Sequence, residues 1–206
     1  MKKGKFFTIT GLLLIAAALC LTAYNILDSR RAGEIAEEML QQIEISESKV
    51  TPPAELPVTP PEEIEYPDYV LNPDMDMPVE TVDGHDYIGV LNLPALEREL
   101  PVQSEWSDSN LKSSPCRYSG SVYLDNVVIA AHNYKKHFGP LQRLPIGSEL
   151  TFTDIKGNVF TYRVVEIETL QPTAIEEMTE SEYALTLFTC TLGGRSRVTV
   201  RCERVE

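Results

Sequence analysis

From Phe6 to Leu27 the sequence runs FFTITGLLLIAAALCLTAYNIL without a single charge. At about 1.5 Å per residue, a helix of that length crosses a hydrocarbon core of roughly 30 Å. A chain that opens this way is constrained first by the membrane, and the reading is an uncleaved spanning helix. A cleaved signal peptide is the alternative, but the stretch is longer than an ordinary signal core and no A-x-A site follows it. Lys2, Lys3 and Lys5 precede the run and favour a cytoplasmic N-terminus, whereas Arg30 and Arg31 oppose that bias. The expectation is a single-pass protein of the cell membrane with its body outside the cell. Cys20 is expected to pack as a small apolar residue, since Leu19 before it fits a lipoprotein site poorly.

Residues 29–45 (DSRRAGEIAEEMLQQIE) hold helix formers and an Ile35, Met39, Leu40, Ile43 stripe, so the helix is expected to continue as a short stalk. Pro and acidic residues then dominate from Ser46 to Asp83, a composition that buries little apolar surface and favours extended backbone. The chain therefore divides into a cytoplasmic tail and anchor over 1–28, a stalk and Pro-rich acidic linker over 29–83, and a body over 84–206.

The body is long enough for one compact core. A formal net charge of -13 excludes nucleic acid as a partner, because binding phosphates requires a clustered basic face. Short β-branched and aromatic runs follow one another between turn residues: YIGVLNL, ELPVQ, SGSVYL, NVVIAAH, SELTFTDI, VFTYRVVEIETL, ALTLFTC and RVTVRCERV. This spacing predicts an all-β antiparallel barrel with short helices rather than alternating βαβ units. Asp154-Ile155-Lys156-Gly157-Asn158 reads as a hairpin turn. Short helices are expected at Asp108–Leu111, Phe138–Leu144 and Ala174–Tyr183, the last with Thr173 or Thr179 as N-cap.

ALTLFTC alternates apolar residues and stops at Cys190, next to a Thr-Leu-Gly-Gly turn. A cysteine there is either a buried thiol or a nucleophile at a strand end. His132 favours the second reading, because it closes the apolar strand NVVIAA and opens the polar loop HNYKKHFG. An imidazole beside a thiol takes its proton or stabilises the thiolate, and protonates an amine leaving group. The developing oxyanion needs a donor or cation, and Arg197 opens the strand that returns beside Cys190. Arg195 in the turn and Arg201 about 13 Å further along the same strand face are the competitors.

The string TLFTC at 186–190, an arginine after a short turn, and VIAAHN at 128–133 resemble the signatures of the sortase family. YIGVLNLPALERELPV at 87–102 and HFGPLQRLPIGSELTF at 137–152 extend the resemblance over nearly all of 84–206. It implies a closed eight-stranded β-barrel behind the N-terminal helix, of a class B-like or class D-like kind. It also implies a cysteine transpeptidase of sorting-motif surface proteins. Cys190 would form a thioacyl intermediate, His132 would act as acid and base, and Arg197 would orient the substrate carbonyl or hold the oxyanion. The acceptor would be an amine of peptidoglycan or of a pilin-like subunit. No cofactor is implied.

Glu176, Glu177, Glu180 and Glu182 precede the cysteine strand, where some relatives bind calcium; a solvated helix face is the plainer reading. Leu56-Pro57-Val58-Thr59 resembles the start of a sorting motif followed by Pro60, which suggests an uncleavable segment able to occupy the groove. Cys116 and Cys202 are either buried thiols or an extracellular disulfide. The other functional classes are an inactive peptide-binding barrel and a thiol hydrolase that uses water.

Overall fold

The computed structural model describes residues 2–43, 45 and 66–205. Leu56-Pro57-Val58-Thr59 and most of the Pro-rich segment lie outside these residues.

Helix α1 (Lys2–Gln42) is one uninterrupted helix. Its apolar stretch is exposed on all sides, as at Phe7, Leu14 and Leu21, and is a candidate membrane span by length and composition. The last turns are different, for Ala32, Ala36 and Met39 are buried, as is Ile43 just beyond the helix. Met39 and Ile43 pack with Val82 and Tyr87, and each such burial contributes about 1.5–3 kcal/mol. The stalk is therefore docked on the barrel rather than free-standing. Its buried stripe is 32–36–39–43, spaced as one helix face, and Ile35 and Leu40 are only half-buried. The two alanines allow the helix backbone to come close to the barrel.

The end of the segment read as linker also packs. Helix α2 (Asp68–Leu71) places Tyr69 in a stack on Tyr123, ring centroids 4.8 Å apart, and Met77 joins the main core. Strand β1 (Glu80–Val82) folds back on β2 (His85–Leu93). Asp83 and Gly84 form the turn between them with φ of 48° and 77°. An Asp-Gly pair at positive φ is the tight hairpin turn whose twist matches paired strands.

Six further strands follow: β3 (Arg98–Gln103), β4 (Cys116–Ser119), β5 (Val127–Ala130), β6 (Glu149–Asp154), β7 (Val159–Leu170) and β8 (Leu185–Cys190). The last is β9 (Arg197–Arg204). The sheet runs β1-β2-β3-β4-β5-β8-β9-β7-β6 and closes where β6 returns to β2, so eight strands make a barrel and β1 is an appendage. Two pairings are parallel, β3 with β4 and β5 with β8. Inward side chains such as Leu91, Ile129, Phe152, Leu187 and Val200 fill the interior.

The run SGSVYL is not a strand. The strand is the preceding CRYS, and the chain turns at Gly120, whose φ is +72°. A Cβ there would meet the Asn126 carbonyl oxygen at 2.1 Å, and the Ser121 amide donates to Asn126 Oδ1. Val122 still reaches the core from this turn. Helix α3 (Ile175–Thr179) begins after Ala174 without a side-chain cap, so neither threonine serves as its N-cap. The other two expected helices are single 3₁₀ turns, Asn110–Lys112 and Leu141–Arg143.

Candidate active site

Side-chain alternation along three adjacent strands decides what meets at this end of the barrel. On β8, Leu185 and Leu187 point into the main core, whereas Phe188 joins a second cluster outside it. Cys190 is two residues beyond Phe188 and so shares its outer face. On β5, Val127, Ile129 and Ala131 belong to the interior, and Val128 and Ala130 belong to the outer cluster. His132 continues the outer series. On β9, Val200 and Cys202 are interior, so Arg197, Thr199 and Arg201 lie on the outer side.

Register brings the three candidates level. Cys190 pairs with Arg197 across the antiparallel β8–β9 ladder, a relationship that puts Cβ atoms about 4.5–5.5 Å apart. Ala130 pairs with Phe188 in parallel, and the Ala131 amide donates to the Phe188 carbonyl at 3.2 Å. Extending that parallel register by two residues, just past the end of β5, sets His132 level with Cys190. All three are half-buried, within reach of solvent and of a ligand.

The loop between β8 and β9 is short and closed on itself. The Thr191 amide donates to the Ser196 carbonyl and the Gly194 amide to the Thr191 carbonyl, each at 2.9 Å. Gly193 and Gly194 have φ of 88° and 71°, values that a residue with a Cβ rarely takes. Arg197 Nη1 donates to the carbonyls of Gly194 and Ser196, which holds the guanidinium at the loop.

Burial lowers the pKa of His132 against Asp28 and Asp108, which raise it, and with Lys112, which lowers it further. The ring therefore stays predominantly neutral near pH 7, the form that accepts a thiol proton. It packs tilted against Tyr134 at a centroid distance of 4.9 Å. Tyr134 in turn donates its hydroxyl to Asp28 on α1.

Next to the triad is an apolar floor of Val128, Ala130 and Phe188, with Leu111, Met178 and Cys116. Tyr118 packs edge-on to Phe188 at 5.3 Å, and Trp106 edge-on to Tyr118 at 5.9 Å. The row rises from buried Phe188 through half-buried Tyr118 to exposed Trp106, and its outer end offers apolar surface to an extended peptide. The competing arginines and the two remaining histidines are elsewhere. Arg195 is exposed in the turn, His85 begins β2, and His137 is buried. Arg201 is 2% exposed and holds Glu168, Thr186 and the Glu177 and Met178 carbonyls. It fastens α3 and the segment after it to the barrel.

All four cysteines are free. Cys116 and Cys202 sit in different clusters on opposite faces of the sheet, so the disulfide reading fails. Burial pushes both thiols up to about 12. Glu176, Glu177, Glu180 and Glu182 are exposed, and among the described residues no group of three acidic, His or Cys side chains is placed to hold a metal.

The family model described as Sortase domain matches residues 91–205. The chain belongs to the sortase family. Its solved relatives include sortase C1 of Streptococcus suis, 26% identical, covering 59% of this chain and 74% of that one at a TM-score of 0.52. Sortase C1 of Streptococcus agalactiae is 25% identical and covers 61% and 71% at 0.53. Sortase A of Corynebacterium diphtheriae shares the fold at 0.52, with 20% identity over 59% and 62%. Two subclasses thus match this sortase barrel equally well in shape. Among curated proteins, none matches the chain.

Asp28 and Tyr134 are the residues that sequence reasoning missed. They are separated by 106 positions, and no local pattern connects a helix residue just past the apolar run with a loop tyrosine.

Proposed function

We propose that this sortase is a membrane-anchored cysteine transpeptidase that cleaves a sorting motif in surface proteins. Cys190 attacks the carbonyl at the scissile bond and forms a thioester as the amine leaves. His132 takes the thiol proton and delivers it to that leaving amine, then accepts a proton from the incoming one. Arg197 holds the tetrahedral oxyanion. The acceptor is an amine of peptidoglycan or of a pilin-like subunit. The anchor and tail over 1–28 fix a single-pass protein, and the catalytic domain over 84–206 works outside the cell.

One observation carries this reading: Cys190, His132 and Arg197 lie on one outer face, at one end, of three neighbouring strands beside an apolar floor. An inactive binding barrel has no need of that juxtaposition. The test is intact-mass analysis of the full chain in detergent with LPxTG-like and NPxTx-like peptides, alongside Cys190→Ala. A thioester adduct on the wild type alone, resolved by an added amine into a peptide–amine product, is expected. Release by water with no amine incorporated would make the protein a thiol hydrolase, and no adduct with any peptide would leave a binding module.

A further inference from the structure

Where α1 leaves its apolar stretch and meets the barrel, there is a groove that the catalytic reading does not use. Thr22, Ile26 and Arg30 form one wall, and Arg98, Lys135 and Lys136 form the other, around a cavity of about 560 Å³. Four of these six side chains are cationic in a chain whose net charge is -13. Lys136 pairs with Glu37. Arg30 and Lys135 are exposed and, among the described residues, have no acidic partner. Arg98 donates to the Glu97 and Lys135 carbonyls, yet its buried Nε has no hydrogen-bond partner.

The depth of the groove is set by the helix. Ile26 belongs to the uncharged run that ends at Leu27, and Arg30 is three residues further, a rise of about 4.5 Å. With α1 spanning a bilayer, the Thr22–Ile26 wall lies at the hydrocarbon edge and the cations lie at the level of the lipid phosphates. Basic residues just beyond a span on the outer side run against the usual charge bias. A negatively charged ligand at that level accounts for them.

We propose that this groove binds one anionic glycerophospholipid, its phosphate among Arg30, Arg98, Lys135 and Lys136 and an acyl chain along Ile26. A zwitterionic headgroup is disfavoured because its ammonium would meet the same four cations. The bound lipid bridges the anchor helix and the loop that begins at His132. That loop is already tied to α1 through Asp28–Tyr134, Ser29 to the Lys135 amide, and Ala32 with His137. Lipid composition thereby reaches the candidate active site.

The proposal rests on α1 as a membrane span, and the test separates the two. The full chain is placed in nanodiscs of phosphatidylglycerol and phosphatidylcholine, released gently, and weighed by native mass spectrometry. The expected result is one retained phosphatidylglycerol on the wild type, with its preference over phosphatidylcholine falling roughly tenfold or more in Arg30→Gln/Lys135→Gln. Equal retention of the two lipids, or an unchanged preference in the double variant, overturns the lipid site while leaving the anchor in place. Displacement of the lipid by inorganic phosphate overturns it in favour of a free-phosphate site. Failure of the wild type to enter nanodiscs overturns both readings. Neither substituted residue belongs to the catalytic set, so circular dichroism and peptide cleavage in detergent should match wild type.

Discussion

Tyr134, two residues past His132, donates its hydroxyl to Asp28 of helix α1. The same tyrosine ring packs at a tilt against the His132 imidazole. Helix α1 thus supports the residue proposed to move protons, and Asp28 acts through Tyr134 as a positioning residue. Asp28 also raises the pKa of His132 against the effect of burial. Asp28→Asn removes that negative charge, so the His132 titration should move to lower pH, read from the ring proton resonances of the full chain in detergent. Tyr134→Phe keeps the charge and loses only the bond. It should leave the midpoint nearly in place while lowering kcat several-fold. Equal midpoint shifts in both variants would reject a charge effect.

Arg197 is the register partner of Cys190. Removal of a donor from a developing oxyanion typically costs a factor of 10² to 10³ in kcat. Arg197→Ala should show a loss of that order in single-turnover thioester formation, and Arg197→Lys should recover part of it through its charge. Arg195→Ala, in the same turn but exposed, should stay near wild type.

His137 is buried, with Nε2 donating to the Ala32 carbonyl of α1 and Nδ1 without a partner. Burial lowers its pKa from 6.5 to about 4. The unfolded chain therefore takes up the proton first as pH falls. The stability contributed by the neutral ring is complete above about pH 6.5 and is lost as pH drops towards 4. The full difference is roughly 3 kcal/mol, from about 1.4 kcal/mol per pH unit. Denaturant midpoints from pH 7 to 4.5 should fall in the wild type, and the slope should flatten in His137→Gln. An identical slope in the variant would place the acid sensitivity elsewhere.

Cys116 and Cys202 have thiols pushed up to about 12 by burial, and Cys190 is half-buried at a strand end. Iodoacetamide at neutral pH should therefore label Cys190 in the folded barrel and leave Cys116 and Cys202 unmodified until denaturant is added. Peptide mapping reads this directly. Early labelling of Cys202 would contradict the packing of β9 against the interior.

Gly33 lies where the loop after His132 crosses α1. A Cβ at this position would be 2.5 Å from Lys136 Cγ and 2.7 Å from Lys136 Cβ. Alanine is ordinarily better than glycine in a helix by about 1 kcal/mol, but here it forces the loop away. Gly33→Ala should raise proteolytic sensitivity in residues 133–137 and lower activity with the barrel still folded. A more stable variant of normal activity would show that the loop yields freely.

Alternation and turn chemistry made most of the barrel legible. VFTYRVVEIETL is β7 in full, ALTLFTC ends at the residue where β8 ends, and Asp154 to Asn158 turns as expected. These features are local, since the period of a strand and the φ of a glycine are set within a few residues. The Asp83-Gly84 hairpin was equally local and equally readable, though it lay hidden behind a Pro-rich, acidic composition. The positions of Cys190 and Arg197 at strand ends followed from the same pattern, and His132 lies two residues past the end of β5 rather than closing it. The return of Arg197 beside Cys190 across the short turn was readable too, but the approach of His132 was not, because it depends on β5 pairing in parallel with β8 across more than fifty residues of chain. The docking of α1 was further out of reach. Ala32 and Ala36 carry too little apolar surface to mark a buried face, and Asp28 finds Tyr134 only once the barrel has closed. Strands, turns and the long apolar helix could be read from the residues alone, each being governed by near neighbours along the chain. Which distant side chains share a face was settled by the folded chain, because long-range pairing and the burial of small residues leave no period to read.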